Sequence, residues 1–216
     1  MKLNDLSIEY EALQLKYGDP SLDAVINGGC SENPDFCFVF MNPTGKNVAS
    51  QKSWKGIKSP WLGTKNIWEL FHKINLVGDD LYDSIASKKR EDWDEKFAEE
   101  VYENVSKRKY FITNLGKCTQ IDARPIPDRV YKEYLHLLLK EIEIVNPKVI
   151  VLFGNQVSSI VLGQKVSVSQ CRKQLFKLEI NDKIYNTYSV YYPVGNGRFN
   201  MGKSVEDLIW IMNSLK

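Results

Sequence analysis

The chain has 216 residues, of which 43% are hydrophobic and 26% charged, enough to bury one sizeable core without demanding a second, so residues 1–216 are expected to form a single domain. A formal net charge of +2 and a pI near 8.2 make it only mildly basic, which neither requires nor excludes a nucleic-acid partner. No apolar run reaches bilayer length, and Cys30, Cys37, Cys118 and Cys171 follow no leading apolar signal stretch. These cysteines are therefore expected to be reduced thiols in a soluble cytoplasmic protein rather than a disulfide framework.

In chain order, Leu3, Leu6, Ile8, Leu13 and Leu15 among charges predict a short amphipathic helix ending near Tyr17. Phe36 to Phe40 is short and continuously apolar, as a strand buried on both faces must be, and it runs into Asn42-Pro43-Thr44-Gly45. Lys46 to Ser59 is polar and basic without periodicity and reads as a loop. Thr64 to Leu76 then places Ile67, Leu70, Phe71 and Ile74 on one helical face. Glu91 to Lys109, dense in both charges with Trp93, Phe97, Val101 and Val105 spaced by fours, predicts a solvated surface helix.

Tyr110 to Thr113 is a second buried strand, ending at Asn114. A helix from Val130 to Val145 follows, with Leu135, Leu138, Leu139, Ile142 and Val145 inward, and Pro147 stops it. Lys148 to Phe153 is the clearest parallel-type strand, and Gly154 opens a helix from Asn155 to Leu162. Leu175 to Ile180 and Ile184 to Tyr191 flank a hairpin turn, and a last helix runs from about Ser204 to Leu215, with Val205, Leu208, Ile209 and Met212 on one side. Strands alternating with helices predict an α/β fold, a three-layer α/β/α sandwich on a mostly parallel sheet whose ligands bind beyond the carboxyl ends of the strands.

Those ends carry the polar residues: Asn42, Asn114 and Tyr192 each stand where a buried strand gives out. A lone Asn is most often a turn or helix-cap residue. Two at strand ends of one sheet, each a flat group with an acceptor and two donors, suit reading a heterocycle edge or orienting a water.

The residues also carry a family resemblance. Phe38 to Gly45 (FVFMNPTG) resembles the Gly-Met-Asn-Pro-Gly and Gly-Ile-Asn-Pro-Gly motifs of uracil-DNA glycosylases, with Met41 in place of a family Gly. Ser59 to Thr64 (SPWLGT) is similar to the Arg-Pro-Phe-Val-Gly segment of the thermophile-type group, whose aromatic stacks on the flipped base; Phe111 to Cys118 (FITNLGKC) resembles its Ile-Thr-Asn-Leu-Val-Lys-Cys motif. Ile144 to Gly154 is similar to its core strand, so the resemblance spans about residues 36 to 200 in the right order.

The resemblance implies a DNA glycosylase of base-excision repair that flips a deaminated base, uracil or a related one, and hydrolyses its N-glycosidic bond. Asn42 and Tyr192 would be catalytic, and Met41, Trp61 and Asn114 would bind the base. Pro43, Lys46, Pro193, Gly195 and Arg198 would contact DNA, with Lys52, Lys55 and Lys58 as further cations along its backbone. Backbone N–H groups of the Pro43 to Gly45 turn would add an oxyanion-type contact. A DNA partner, no membrane association and monomeric behaviour complete the expectation.

Two departures stand out. The family's last motif begins His-Pro, whereas this chain has Tyr192-Pro193; a phenol donates a hydrogen bond but carries no positive charge. Losing such an electrostatic donor costs roughly a hundredfold in rate, so recognition of a flipped base is expected to exceed efficiency of its removal. The thermophile-type group also holds an iron–sulfur cluster on four cysteines. Here Cys118 matches one, Cys30 and Cys37 have six residues between them rather than two, Tyr134 aligns with another ligand and Cys171 lies elsewhere, so no cofactor and no metal are expected. His72 and His136 sit within helical spacing, away from the strand ends, and are expected to be structural. The alternative to a monofunctional glycosylase is a weakened family member that binds nucleic acid or a nucleobase without turnover. A nucleotide hydrolase is disfavoured by the lack of a phosphate loop.

Overall fold

The computed structural model describes residues 2–214. Its centre is one six-stranded sheet. In chain order the strands are β1 (Asn27–Gly29), β2 (Phe36–Phe40), β3 (Tyr110–Asn114), β4 (Val149–Phe153), β5 (Leu175–Ile180) and β6 (Lys183–Val190), arranged β1-β3-β2-β4-β6-β5. The four inner strands run parallel, and β1 and β5 close the two edges antiparallel. Every residue of β2, β3 and β4 is buried, which is why these segments read as unbroken apolar runs instead of alternating ones.

Among the described residues the sheet is accompanied by seven α-helices: α1 (Ser7–Tyr17), α2 (Asn66–Lys73), α3 (Asp79–Ser87), α4 (Glu95–Lys107), α5 (Asp128–Val145), α6 (Asn155–Val161) and α7 (Met201–Asn213). Strand side chains alternate between two cores. Phe36, Phe38, Phe40, Val151 and Phe153 pack with α2, α4 and α7. Cys37, Val39, Ile150 and Leu152 face the other way, onto α1, α5 and α6. The result is the three-layer sandwich expected from alternating strands and helices.

Several expected details are corrected. In α1, Ile8 and Leu15 are exposed, while Leu6, Tyr10 and Gln14, spaced by fours, face inward. Gln14 is tolerated there because its amide bonds the carbonyls of Asp19 and Leu22 and the N–H of Thr119. Helix α4 is not merely solvated: Phe97, Ala98, Val101, Tyr102 and Val105 are buried in the core, and the helix covers β1 and β3. The inward face of α5 runs through Tyr131, Tyr134, Leu138, Glu141 and Val145, with Leu135 and Leu139 only half-buried. Asn146 at φ 57° ends α5 in a left-handed cap before Pro147. In α7, Leu208 and Ile211 are buried and Ile209 is exposed; the expected end at Leu215 lies outside the described residues. Among the described residues no helix is long and apolar enough to cross a membrane.

Candidate functional site

The carboxyl ends of β2, β3 and β6 open into a cavity of about 290 Å³. Asn42 and Pro43 from the β2 end, Asn114 at the β3 end and Tyr192 beyond β6 converge on it, joined by Lys46, Trp61 and Gly195. The sheet hydrogen bonding extends past the strands and fixes this convergence. Leu115 N–H donates to Phe40 O and Gly116 N–H to Met41 O, each at 2.8 Å; Gly45 N–H donates to Gln120 O at 2.7 Å. A larger hollow of about 600 Å³ lies beside β1 and α4, but none of the inner strand ends reaches it.

Asn42 is fixed on both sides of its amide. Tyr131 donates its hydroxyl to Asn42 Oδ1 at 2.7 Å, and Asn42 Nδ2 donates to Pro43 O at 3.0 Å. One further acceptor site on Oδ1 and one further N–H remain for a water or ligand. Asn114 is 2% exposed, yet its Nδ2 has no hydrogen-bond partner.

Trp61 stands at φ 67°, a left-handed conformation that costs a non-glycine residue about 1–2 kcal/mol. Three donors to its carbonyl hold it there: Thr64 N–H at 3.1 Å, Thr64 Oγ1 at 2.7 Å and Trp68 Nε1 at 3.1 Å. Its indole Nε1 is buried and unpartnered. Tyr192 is half-buried against Phe40, and burial pushes its phenol well above the usual tyrosine range, so it is a neutral donor throughout the physiological range. At the mouth, Arg124 grips Asp122 at 2.8 Å and holds that carboxyl below the usual range.

Behind β3 lies a buried charge cluster. Lys117 Nζ meets Glu141 Oε2 at 3.0 Å with both side chains excluded from water. Lys117 also donates to the Asn114 carbonyl at 2.9 Å and to Thr113 Oγ1. Asn27, Thr113 and the Tyr10 hydroxyl also donate to Glu141.

Four of the sequence expectations for the site do not hold. The Met41 side chain packs into the core shared with α5 rather than lining the cavity, because residues on the two sides of β2 alternate and Phe40 already faces the cavity side. The Gly45 N–H is spent on Gln120 and Pro43 has none, so this turn offers a weaker oxyanion contact than expected. Lys58 pairs with Asp23 at 2.9 Å and Ala49 O at 3.1 Å, which makes it a structural cation. Pro193 is buried outside the cavity wall. Exposed Arg198 donates to Asn66 Oδ1 at 2.8 Å and lies 3.6 Å from Glu69; Asn66 itself lines the cavity. His72 stacks on Tyr82 and His136 meets Glu9, both remote from the cavity.

Residues missed in the sequence are Tyr131, Asn66, Asp122 and Asn47. For Tyr131 a signal existed: a tyrosine on the buried face of a helix needs a partner for its hydroxyl. Burial pushes the thiols of Cys37 and Cys118 up, and among the described residues no three or more His, Cys, Asp or Glu side chains are grouped so as to hold a metal ion.

A mostly parallel α/β sheet with a largely apolar cavity at its strand ends, set with a few polar side chains, is the arrangement in which doubly wound α/β proteins bind ligands. The family model described as the uracil DNA glycosylase superfamily matches residues 28–212. The chain belongs to that superfamily, and membership points to a glycosylase-type activity on DNA.

Proposed function

We propose that the protein is a monofunctional DNA glycosylase that takes a deaminated base, uracil or a close relative, out of the duplex and hydrolyses its bond to the sugar. The observation that carries this reading is Asn114: a nearly water-excluded amide in the cavity wall with an unpaired Nδ2. An orphaned buried donor is costly to keep, and a base edge bearing carbonyl acceptors satisfies it.

The remaining roles follow from position. Trp61 supplies an aromatic face for the extruded base. Asn42 accepts from a water and points its oxygen at the sugar carbon. As the carbon–nitrogen bond breaks, the sugar gains oxocarbenium character and the electron pair leaves with the base; the water oxygen bonds to the sugar carbon, and its released proton balances the base anion. Tyr192 donates to the charge growing on the base without itself carrying charge. Lys46 and the Gly195–Arg198 turn flank the mouth, where the DNA backbone would run.

Oligonucleotides holding uracil, hypoxanthine or xanthine, single- and double-stranded, test this directly. Alkali-labile abasic sites, lost in Asn42→Ala and not trapped by borohydride, are the expected result. Borohydride trapping would instead mean an amine nucleophile. Tight binding with no abasic product on any substrate would leave a base-binding protein without turnover.

A further inference from the structure

We propose that Tyr131 is a positioning residue for Asn42, seated there because residue 116 is glycine. The proposal rests on the reading of Asn42 as the water-orienting group. Tyr131 projects from the first turn of α5, is fully buried and does not line the cavity, so it reaches the substrate only through Asn42. Its hydroxyl donates to Asn42 Oδ1 at 2.7 Å. That contact, with the one from Nδ2 to Pro43 O, decides which end of the amide faces which neighbour. An asparagine without it flips between two nearly isosteric orientations, one presenting an acceptor to the water and the other a donor.

Gly116 makes the contact possible. A Cβ there would lie 3.0 Å from Tyr131 Cε1, 3.2 Å from Cδ1 and 3.7 Å from Asn42 Cβ. The phenol ring therefore occupies space that any larger residue at 116 would claim. Gly116 is itself pinned, its N–H on Met41 O at 2.8 Å, so the backbone cannot retreat without breaking the continuation of the β2–β3 pair. Three elements distant in sequence, the β2 end, the β3 end and α5, thus converge to fix one amide.

Tyr131→Phe removes only the hydroxyl and leaves the packing of the ring. With the uracil oligonucleotide, kcat is expected to fall by about ten- to a hundredfold, the scale of a misplaced reacting group, while KM stays unchanged. In the Asn42→Ala background the same substitution should cost nothing further, because the two residues act as one unit. Gly116→Ala should reproduce the Tyr131→Phe effect in weaker form. Wild-type kcat in Tyr131→Phe, or a full additional loss on top of Asn42→Ala, overturns the proposal.

If the wild-type protein makes no abasic sites, the glycosylase reading fails instead, and the side-chain amide resonances of Asn42 decide about Tyr131. They should be a dispersed, slowly exchanging pair in the wild type that collapses toward the solvent-exposed position in Tyr131→Phe. An unaltered pair means that Tyr131 does not hold Asn42.

Discussion

Phe40 meets Trp61 edge-on, ring centroids 5.0 Å apart and planes inclined at 75°. The same buried ring stacks on Phe153 at 4.2 Å and meets Tyr192 on edge at 6.2 Å. Two walls of the cavity therefore lean on one side chain that does not itself line it. Phe40→Ala should destabilise the protein by about 3–5 kcal/mol, the usual cost of emptying a phenylalanine site, and should weaken binding of a uracil-containing oligonucleotide as well. Urea unfolding and fluorescence anisotropy measure the two effects; native stability together with native affinity would contradict this account of the cavity.

Trp61 combines a stacking face with a left-handed backbone, and the two are separable. Trp61→Ala should weaken oligonucleotide binding by about 1–3 kcal/mol, whereas Trp61→Phe should retain most of it. At φ 67° a glycine lacks the Cβ clash that an alanine keeps, so Trp61→Gly should be more stable than Trp61→Ala by about 1 kcal/mol. Equal stabilities would show that the turn relaxes when the indole is removed.

The Lys117–Glu141 pair sits in a place without water. Lys117→Met leaves Glu141 buried without a counter-charge and should cost about 3–5 kcal/mol. Adding Glu141→Leu should recover much of that loss, since two apolar groups are easier to bury than one stranded carboxylate. A double variant no more stable than the single one would mean that the hydrogen bonds to Thr113 and Asn27 matter more than the charge.

The layers of the sandwich were legible because their physics is local. Continuous apolar runs at Phe36–Phe40, Tyr110–Thr113 and Lys148–Phe153 needed only a buried strand, and Pro147 announced the end of α5. Helix faces were less legible: in α1 and α7 exposed Ile8, Leu15 and Ile209 imitate core positions, and only the packing partner decides which stripe turns inward. The edge strand β1, with Asn27-Gly28-Gly29, carries no apolar signal at all. Helix α3 went unmarked because Ile85 alone is buried in it.

For the site, Asn42, Trp61 and Asn114 were readable from their motifs and do line one cavity. Tyr131 was legible only as a buried hydroxyl in need of a partner, since which partner it meets depends on an empty Cβ position at Gly116 that only coordinates reveal. Met41 misled for a related reason: its neighbour in sequence faces the cavity, and alternation along the strand sends Met41 the other way.

Buried tyrosines set a limit at alkaline pH. Burial raises the phenols of Tyr10, Tyr102, Tyr110, Tyr131 and Tyr134 above their ordinary range, so above the unfolded-state value the folded protein holds protons that the unfolded chain has released. Stability is unaffected below that value and falls above it, by about 1.4 kcal/mol per pH unit for each such group. Tyrosinate absorbance should therefore rise together with loss of circular dichroism in one steep step. Tyrosinate signal from these residues in a protein that keeps its fold would contradict their burial.

The cavity wall is assembled from residues as far apart in the chain as Asn42 and Gly195, with all of β3, β4 and α5 between them. No short fragment contains it, so the cavity exists only once the sheet has assembled. Ligand and fold are therefore thermodynamically linked: any base that fills this cavity stabilises the entire sheet, by about 2.7 kcal/mol at a hundred times its Kd. A shift in melting temperature thus tests the proposed base binding, and ranks one base against another, without any need for turnover.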